Sequence, residues 1–298
     1  MKKAFAALFL ASFAAGLAAQ ELTVRPEGSG PIFKFPTREV FAERYNPSSG
    51  NMGILARGNN PTYQGGPVLR SATVVLIFWG PNFQNPSSPD FAYAQAIQAF
   101  RNQYGTNGEY NVITQYYQIV GGVHQLIQLS NLAAGTADMF DTSTPPTNVS
   151  DAAVQGEVAK YLTTHTFNAS TVYEVVIPST SYSSDSGEDS CGGPNLAYCA
   201  YHSSYSSGSS NVIYAIEPYP SCSGCQWPGW TAAQNEDHFV CHETREAVTD
   251  PLGTGWWNTR SGEELDDQCA WSPSPFLSGG FGYQDEWSNA NSGCVQTR

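Results

Sequence analysis

Residues 231–251 read TAAQNEDHFVCHETREAVTDP, a stretch that predicts the long helix on which the rest of the fold is built. Its first residues form a possible capping box, Thr231-Ala-Ala-Gln234, which indicates a helix over about 232–248. Asp250-Pro251 stops the helix, because proline cannot continue it. Apolar residues of the stretch can face the core while polar ones share another face.

A metal ion could bind the polar stripe that His238, His242 and Glu246 form, since residues four apart lie on one helix face. A helix rises about 1.5 Å per residue, so the first and last of these start about 12 Å apart, whereas zinc–ligand bonds are about 2 Å. Only a neighbouring pair can chelate one ion. Glu243 favours His242 with Glu246 over His238 with His242, because it follows His242 as the base follows the first ligand in the HExxH helix of zinc peptidases.

The pattern is then HExxE, in which Glu243 is the candidate general base that takes a proton from the attacking water. A third ligand should come from beyond the helix, and residues 262–267 (GEELDD) supply carboxylates. Glu-rich helices also produce this pattern by accident, so a solvated acidic helix face is the alternative. One His and two carboxylates give a zinc site a formal charge near zero. Such a site lowers the pKa of its bound water less than a site with two His and one carboxylate does. Slow catalysis, another divalent metal or a structural site all fit that charge.

The chain before this helix predicts an α+β fold with a central sheet. Residues 72–79 (ATVVLIFW) are typical of a strand covered on both faces. Ser88-Pro89 predicts the start of a helix that runs to about Tyr104, and a second helix is expected after Ser150. Further strands are expected at Tyr110–Tyr117, His124–Leu129, Val172–Ile177 and Val212–Ile216. The Ser-rich stretches 179–190 and 203–210 are expected to be surface loops.

The N-terminus predicts export. Residues 1–19 have the pattern of a secretory signal peptide, residues 20–66 are an irregular leader or pro-segment, and residues 67–298 form one domain. With 13 basic and 26 acidic residues the net charge is -13, which disfavours nucleic acid and anionic lipid as partners. No segment is long and apolar enough for a membrane span. We expect a secreted, extracellular or periplasmic monomer.

Seven cysteines all lie after residue 190. In an oxidising compartment they predict up to three disulfides that staple the C-terminal region, with one thiol left over. Cys222-Ser-Gly-Cys225 could be a redox or zinc motif, but a tight disulfide or two separate bridges in a secreted loop is the stronger expectation.

Several blocks of sequence together resemble the EXORDIUM or phosphate-induced protein 1 family. In family order, from about residue 65 to 270, they are Gly66-Pro67-Val68-Leu69, Phe78-Trp79-Gly80, Tyr173–Ile177, Cys199-Ala-Tyr-His202, Ile213-Tyr214-Ala215, Cys222-x-x-Cys225, His242-Glu243-x-x-Glu246-Ala-x-Thr249-Asp250-Pro251 and Glu264-Leu-x-Asp267-x-Cys269. The chain departs from that family in its CxxC spacing, in Cys241 before the motif and in its long Ser-rich stretches. The order of strands and HExx helix also resembles zincin-type metallopeptidases.

The resemblance implies an exported, cell-wall-associated or extracellular protein whose ligand is an extracellular peptide or cell-wall carbohydrate. It favours Glu264 over Glu263 as the third ligand, and it makes Asp267 a hydrogen-bonding partner of the ligands. We expect Asp250 to act in the same way. The predicted site is therefore zinc, or another divalent metal, on His242, Glu246 and Glu264, in a zincin-like fold with a mixed sheet and backing helices.

The remaining histidines and tryptophans give weaker indications. His202, in one of the family blocks, is either a contact to the substrate or transition state or a hydrogen-bonded loop residue. His124 and His165 are expected to be ordinary surface or sheet residues. Trp256 and Trp257 either line a substrate groove or anchor the disulfide-rich tail. A non-catalytic extracellular protein that binds carbohydrate or peptide is thus the alternative to a metallopeptidase.

Overall fold

A central mixed sheet of six strands organises the α+β fold of the chain. The computed structural model describes residues 28–45 and 59–298. From one edge to the other, the strands of the sheet are β1 (Phe33–Pro36), β11 (Tyr198–Ser207), β12 (Ser210–Pro218), β8 (Thr171–Ile177), β3 (Thr73–Trp79) and β6 (Met139–Asp141). Strand β11 pairs antiparallel with both β1 and β12, whereas β12, β8, β3 and β6 are parallel to one another.

Short strands outside this sheet form small hairpins and ribbons. They are β2 (Thr62–Tyr63) with β13 (Trp256–Trp257), β4 (Tyr117–Val120) with β5 (Val123–Leu126), β7 (Asn148–Ser150) with β9 (Tyr182–Asp185) and β10 (Glu188–Asp189), β14 (Phe276–Ser278) with β15 (Phe281–Tyr283), and β16 (Glu286–Ser288) with β17 (Gly293–Val295). The C-terminal hairpins lie beyond the last long helix and help to enclose it.

In the described part of the chain four α-helices pack around the sheet, and three of them begin where the sequence predicts. They are α1 (Arg38–Arg44), α2 (Pro89–Tyr104), α3 (Asp151–Leu162) and α4 (Ala232–Thr249). The Ser88 hydroxyl accepts a hydrogen bond from the Asp90 N–H, and Ser150 caps α3 in the same way. Both hydrogen bonds of the Thr231–Gln234 capping box are present. The helix predictions for α2, α3 and α4 are therefore confirmed.

Alternation along the central strands divides the core between two layers of helices. Val75 and Ile77 of β3 pack on the side of α3, whereas Val74 and Leu76 pack on the side of α2 and α4. The central strands are buried on both faces, as the run ATVVLIFW predicts. Helix α4 lies so deep that every residue from 235 to 249 is buried.

Local predictions are wrong in three stretches. Residues 179–190, predicted to be a surface loop, contain strands β9 and β10, where Ser183 is buried and its N–H donates to the Ser190 hydroxyl. Residues 110–115 form a 3-10 helix rather than a strand, with Tyr110 and Ile113 buried three residues apart and the Asn107 side chain accepting from the Tyr110 N–H. The Ser-rich stretch after residue 203 continues strand β11 and is not a surface loop. Ser203 is buried there because its hydroxyl donates to the Pro31 carbonyl, which removes the cost of burying it.

The predicted leader contributes regular structure to the domain. Residues 33–36 are strand β1 at the edge of the main sheet, and residues 38–44 are helix α1, where the composition predicts an irregular chain. Phe35 and Phe41 from this segment are buried in a third apolar cluster with Trp271 and four cysteines. The predicted signal peptide lies outside the described residues.

The cysteines form three disulfides and one free thiol, in agreement with the prediction. The pairs are Cys191–Cys222, Cys199–Cys225 and Cys269–Cys294, and Cys241 is free and buried. The CxxC sequence thus belongs to two separate bridges. This pattern is consistent with folding in an oxidising compartment. In the described part of the chain, no helix has the length and apolar character needed to cross a bilayer.

Replacing Arg245 with methionine should destabilise the protein strongly. This fully buried side chain of α4 forms ion pairs with Asp266 and, through Nε at 2.8 Å, with Glu286. Its loss leaves two buried carboxylates without a cation, so we expect the free energy of unfolding to fall by about 3–5 kcal/mol. Lys160→Met removes an ammonium that is half exposed and pairs with Asp141 and Glu157, so it should cost less, about 1 kcal/mol. Urea unfolding measures both, and equal losses would contradict the role of burial.

Candidate metal centre

A buried cluster of two histidines and four acidic residues lies where α4 crosses strand β11. His242, Glu243 and Glu246 come from α4, and His202 comes from β11. The loop after β13 supplies the remaining two, Glu264 and Asp267. Apart from Asp267, which is partly exposed, all of these side chains are at most 1% exposed. The helix spacing brings the first three onto one side, and the sheet and loop close the cluster around them.

His242 and Glu246 present two facing acceptor atoms, His242 Nε2 and Glu246 Oε2, that lie 3.1 Å apart. The other ring nitrogen of His242, Nδ1, lies 3.1 Å from Gln284 Oε1. The Gln284 amide is oriented by its Nε2, which donates to the Asp266 carbonyl at 2.9 Å and to its carboxylate at 2.8 Å. Because Gln284 Oε1 can only accept, Nδ1 carries the proton, and Nε2 of the neutral ring turns a lone pair toward Glu246.

The ring of His202 lies among three carboxyl groups. Its Nδ1 is hydrogen-bonded to Glu243 Oε2 at 3.1 Å and lies 3.7 Å from Glu246 Oε2. Its Nε2 lies 3.7 Å from Glu264 Oε2 and makes no hydrogen bond to the described residues. Both oxygens of Glu264 also have no hydrogen-bond partner there. His202 is therefore part of the cluster itself.

The donor atoms are spaced as a small metal ion requires. Two ligands that each lie 2.0–2.2 Å from a tetrahedral zinc ion are about 3.4 Å apart. The observed separations of 3.1 and 3.7 Å bracket that value. In two groups, His202–Glu243–Glu246 and His242–Glu246–Asp267, the ligand atoms all lie within 4.8 Å of one another. Both groups could hold a metal ion, and Glu246 belongs to both.

A third group with metal-ligand chemistry, Cys191 with Cys222 and Cys225, does not compete for an ion. All three sulfurs are already bonded in disulfides. A metal needs a deprotonated thiolate, and a disulfide sulfur cannot supply one. The His–Glu cluster is the better metal site in the described part of the chain.

Burial sets the protonation of the cluster. It lowers the pKa of His202 to about 3, with the nearby His242 adding to the shift, and it lowers the pKa of His242 as well. Burial also raises the pKa of Glu243, Glu246 and Glu264 well above the usual range, and neighbouring carboxyl groups raise it further. Without a metal, burial therefore favours neutral imidazoles and protonated carboxyls in the cluster. A divalent cation would replace those protons.

The structure separates the remaining candidates by their contacts. Asp267 donates its backbone N–H to Glu246 Oε1 at 3.0 Å and so orients that carboxylate. Asp250 accepts from the Gly255 N–H at 2.6 Å and fixes the turn after α4. Glu263, the alternative to Glu264, faces Tyr45 and Arg44 instead. His238 Nε2 lies 3.1 Å from the Ala270 carbonyl oxygen and 3.1 Å from Gln284 Oε1. Because both oxygens accept hydrogen bonds, this nitrogen carries a proton and cannot bind a metal.

Aromatic residues outside the cluster have structural contacts. Trp256 is buried against Tyr63, Tyr116 and Tyr117, and its indole N–H donates to the Tyr117 carbonyl, so it anchors the tail and is not an open platform. His124 stacks on the same Tyr117 in the β4–β5 hairpin. His165 stacks on Tyr161 after α3.

Two features of the site have no signal in the sequence. Gln284 follows β15, 42 positions after His242, and no local pattern links the two. Phe33 and Phe35 of β1 pack on the cluster from the segment that the sequence predicts to be a leader: the Phe33 ring stacks on His202 at 5.0 Å, and Phe35 meets His242 edge-on at 4.4 Å. Only long-range pairing of β1 with β11 reveals these contacts.

Comparison with known proteins adds no relative: no family model, no curated protein and no solved structure matches the chain. The arrangement of side chains is therefore the basis for any functional proposal.

Removing the Gln284 amide should weaken metal binding. In Gln284→Met, His242 loses the acceptor that fixes its tautomer, so we expect the affinity for Zn²⁺ to fall by about 10–100-fold. Gln155→Met is the matched control, because Gln155 is a buried glutamine on the opposite face of the sheet, bonded to Asp151 and Tyr214. Competition with a chromogenic chelator measures both affinities. Equal affinities in the two variants would show that Gln284 does not orient a ligand.

Proposed function

We propose that this chain is an exported zinc-dependent hydrolase that cleaves peptide bonds at the His–Glu cluster. The observation that carries the proposal is the 3.1 Å approach of His242 Nε2 to Glu246 Oε2, with the other side of the imidazole committed to Gln284. Two buried acceptors at that distance repel each other unless a cation lies between them. A proton meets that need in the metal-free chain, and Zn²⁺ meets it with the ligand types that it prefers.

The proposed ligands are His242, Glu246 and Glu264. Glu246 is the central one, because its Oε1 is held by the Asp267 N–H while its Oε2 faces both His242 and His202. Glu264 has two oxygens without partners and lies beside His202, whose Nε2 is also unpartnered. The His202 ring lies between the ligand pair on α4, which its Nδ1 faces, and Glu264, which its Nε2 faces, so Glu264 would have to move toward Glu246 to share the ion.

Glu243 is the proposed general base. Its Oε2 is hydrogen-bonded to His202 Nδ1, and its Oε1 has no partner in the described structure. One oxygen is therefore positioned by the imidazole while the other can accept a proton from water. When bound, the zinc ion would act as a Lewis acid that polarises a carbonyl and lowers the pKa of water. Burial raises the pKa of the Glu243 carboxyl, and a divalent cation beside it would favour the ionised form that can accept that proton.

The substrate class follows from the resemblance of the sequence blocks to the EXORDIUM family and from the zinc-peptidase pattern HExxE. Both support an extracellular peptide, and the family resemblance also supports a cell-wall carbohydrate as the ligand. The three disulfides support an oxidising compartment as the site of action. We place the chain in that lineage as a proposal.

Burial of the cluster favours a second candidate, a structural metal site in a non-catalytic binding protein. Structural zinc sites are closed, whereas catalytic ones keep a position open to water or substrate. His202, His242, Glu243, Glu246 and Glu264 are all closed to solvent in this structure. A metal held there would stabilise the junction of α4, β11 and the loop after β13 without doing chemistry.

Two single substitutions separate these candidates. Glu246→Gln should abolish stoichiometric zinc binding. Glu243→Gln should retain the zinc and lower the cleavage rate of a quenched fluorescent peptide library by at least about 100-fold, the usual contribution of a general base. Glu174→Gln is the control, because Glu174 is a buried carboxyl outside the cluster whose Oε1 accepts a hydrogen bond from the Thr244 hydroxyl. Zinc content by mass spectrometry and the cleavage rate are the measurements.

Two outcomes would contradict the hydrolase. One is undiminished cleavage by Glu243→Gln, which would place the activity elsewhere. The other is a zinc-loaded chain that cleaves nothing and unfolds when the zinc is chelated, which is the behaviour of a structural site.

A further inference from the structure

The cover over the metal centre comes from one short part of the chain, residues 28–45, here called the cover segment. It contains β1 and α1. Phe33 and Phe35 alternate along β1 on the side of the cluster, where Phe33 stacks on His202 with 16° between the ring planes and Phe35 contacts both His242 and His238. The two imidazoles of the cluster are thus each covered by one phenylalanine of the same strand.

The cover segment is attached along one sheet edge. Strand β1 pairs antiparallel with β11, and Phe33 lies opposite His202 itself in the register. The Trp271 indole N–H donates to the Pro36 carbonyl at 2.8 Å, where the strand ends. No cysteine occurs before residue 191, so no disulfide ties the segment to the domain. Besides the pairing of β1, backbone hydrogen bonds of Gly30 to Ser204 and of Thr37 to Ala197 and the inserted side chains attach the segment.

Pairing of this kind is how sheet edges recognise extended peptides. The backbone ladder supplies affinity, and pockets for alternate side chains supply specificity. Here the alternate side chains are the two phenylalanines on the cluster side and Lys34 on the other. The Lys34 ammonium lies 3.1 Å from Asp185 Oδ2 and 2.9 Å from Glu188 Oε2, and it also lies over the Tyr198 ring. The edge therefore accepts the pattern aromatic, basic, aromatic, proline.

We propose that the edge of β11 that pairs with β1 is a docking groove for an extended peptide with that pattern. Residues 33–36 occupy this groove as an internal competitor. The described chain is then the closed form of its own site. An incoming peptide displaces β1, pairs with β11 and brings its backbone beside His202, which lies in the same register. This proposal rests on the proposed hydrolase and specifies its substrates. They are extended peptides with aromatic residues on either side of a basic one.

The groove explains how a fully buried cluster can still act on a substrate. No group in the cluster needs to move, because access depends only on whether β1 or another strand pairs with β11. Phe33 is partly exposed, so the cover is thinnest directly over His202. A tethered strand competes at high effective concentration, which keeps the groove closed to weak ligands.

Weakening the cover segment in the full-length chain tests the proposal. The variant is Phe33→Ala with Phe35→Ala, and the probe is a fluorescein-labelled peptide of residues 31–38, PIFKFPTR. We expect the probe to bind this variant at least about tenfold more tightly than the wild type, because aromatic anchors dominate binding at such grooves. A probe in which alanine replaces both phenylalanines should bind neither protein. Fluorescence anisotropy in the presence of a chelator is the measurement.

A matched control removes two rings at the opposite edge of the sheet. Phe83→Ala with Phe140→Ala truncates two rings that pack on Phe78, and the probe should bind it no better than it binds the wild type. Equal binding to the cover variant and to the wild type, with the variant folded by near-ultraviolet circular dichroism, would overturn the proposal.

A second variant decides the question if the first does not fold. Lys34→Glu leaves both phenylalanines in place and sets a carboxylate against Asp185 and Glu188. It should loosen β1 and tighten probe binding by at least about threefold over the wild type, whereas unchanged binding would overturn the proposal. The assay needs neither metal nor cleavage, so the two proposals can fail separately. Probe binding without peptide hydrolysis would contradict the peptidase and support the groove. Hydrolysis without probe binding would support the peptidase and contradict the groove.

Discussion

The burial of polar side chains along α4 is the constraint on which the rest of the structure depends. Residues 235–249 of this helix are all buried, and they include four carboxyl groups and one arginine. A buried charge costs several kcal/mol unless it is paired, neutralised or bound to a metal. The surroundings of the helix therefore have to pair or neutralise these groups.

The buried ionisable groups of α4 are accommodated in three ways. Arg245 pairs with Asp266 and Glu286, a fully buried ionic group. Near the N-terminal half, Glu236 lies with Glu217 and Glu174, and burial raises the pKa of all three, so these carboxyls stay protonated without a cation. The cluster around Glu246 differs because His242 Nε2, which carries no proton, faces a Glu246 oxygen, and the His202 ring lies beside the same carboxyl group. Imidazole and carboxylate together form a donor set that could hold a metal ion, which a group of neutral acids alone does not offer.

The sequence predicts the local parts of this arrangement well. The capping box at Thr231, the face shared by His242 and Glu246, and the number of disulfides all depend on short-range spacing, and the structure has them. It cannot predict that β1 pairs with β11, because a strand of four residues in a Pro- and Gly-rich leader has no periodicity to detect. The Ser-rich end of β11 is predicted to be a loop because it lacks apolar alternation. His202 is a candidate through the family blocks alone, so its contact with Glu246 is not predicted. Gln284 is invisible for a different reason: its role depends on a hairpin that folds back over α4.

The central claim is that a divalent cation belongs between His242 and Glu246, and an anomalous difference map collected at the zinc absorption edge from zinc-loaded crystals tests it most directly. The account predicts one strong peak within about 2.0–2.2 Å of His242 Nε2 and of a Glu246 carboxylate oxygen. A map from the loaded protein with no peak in the cluster, or with its peak at surface carboxylates alone, would contradict it.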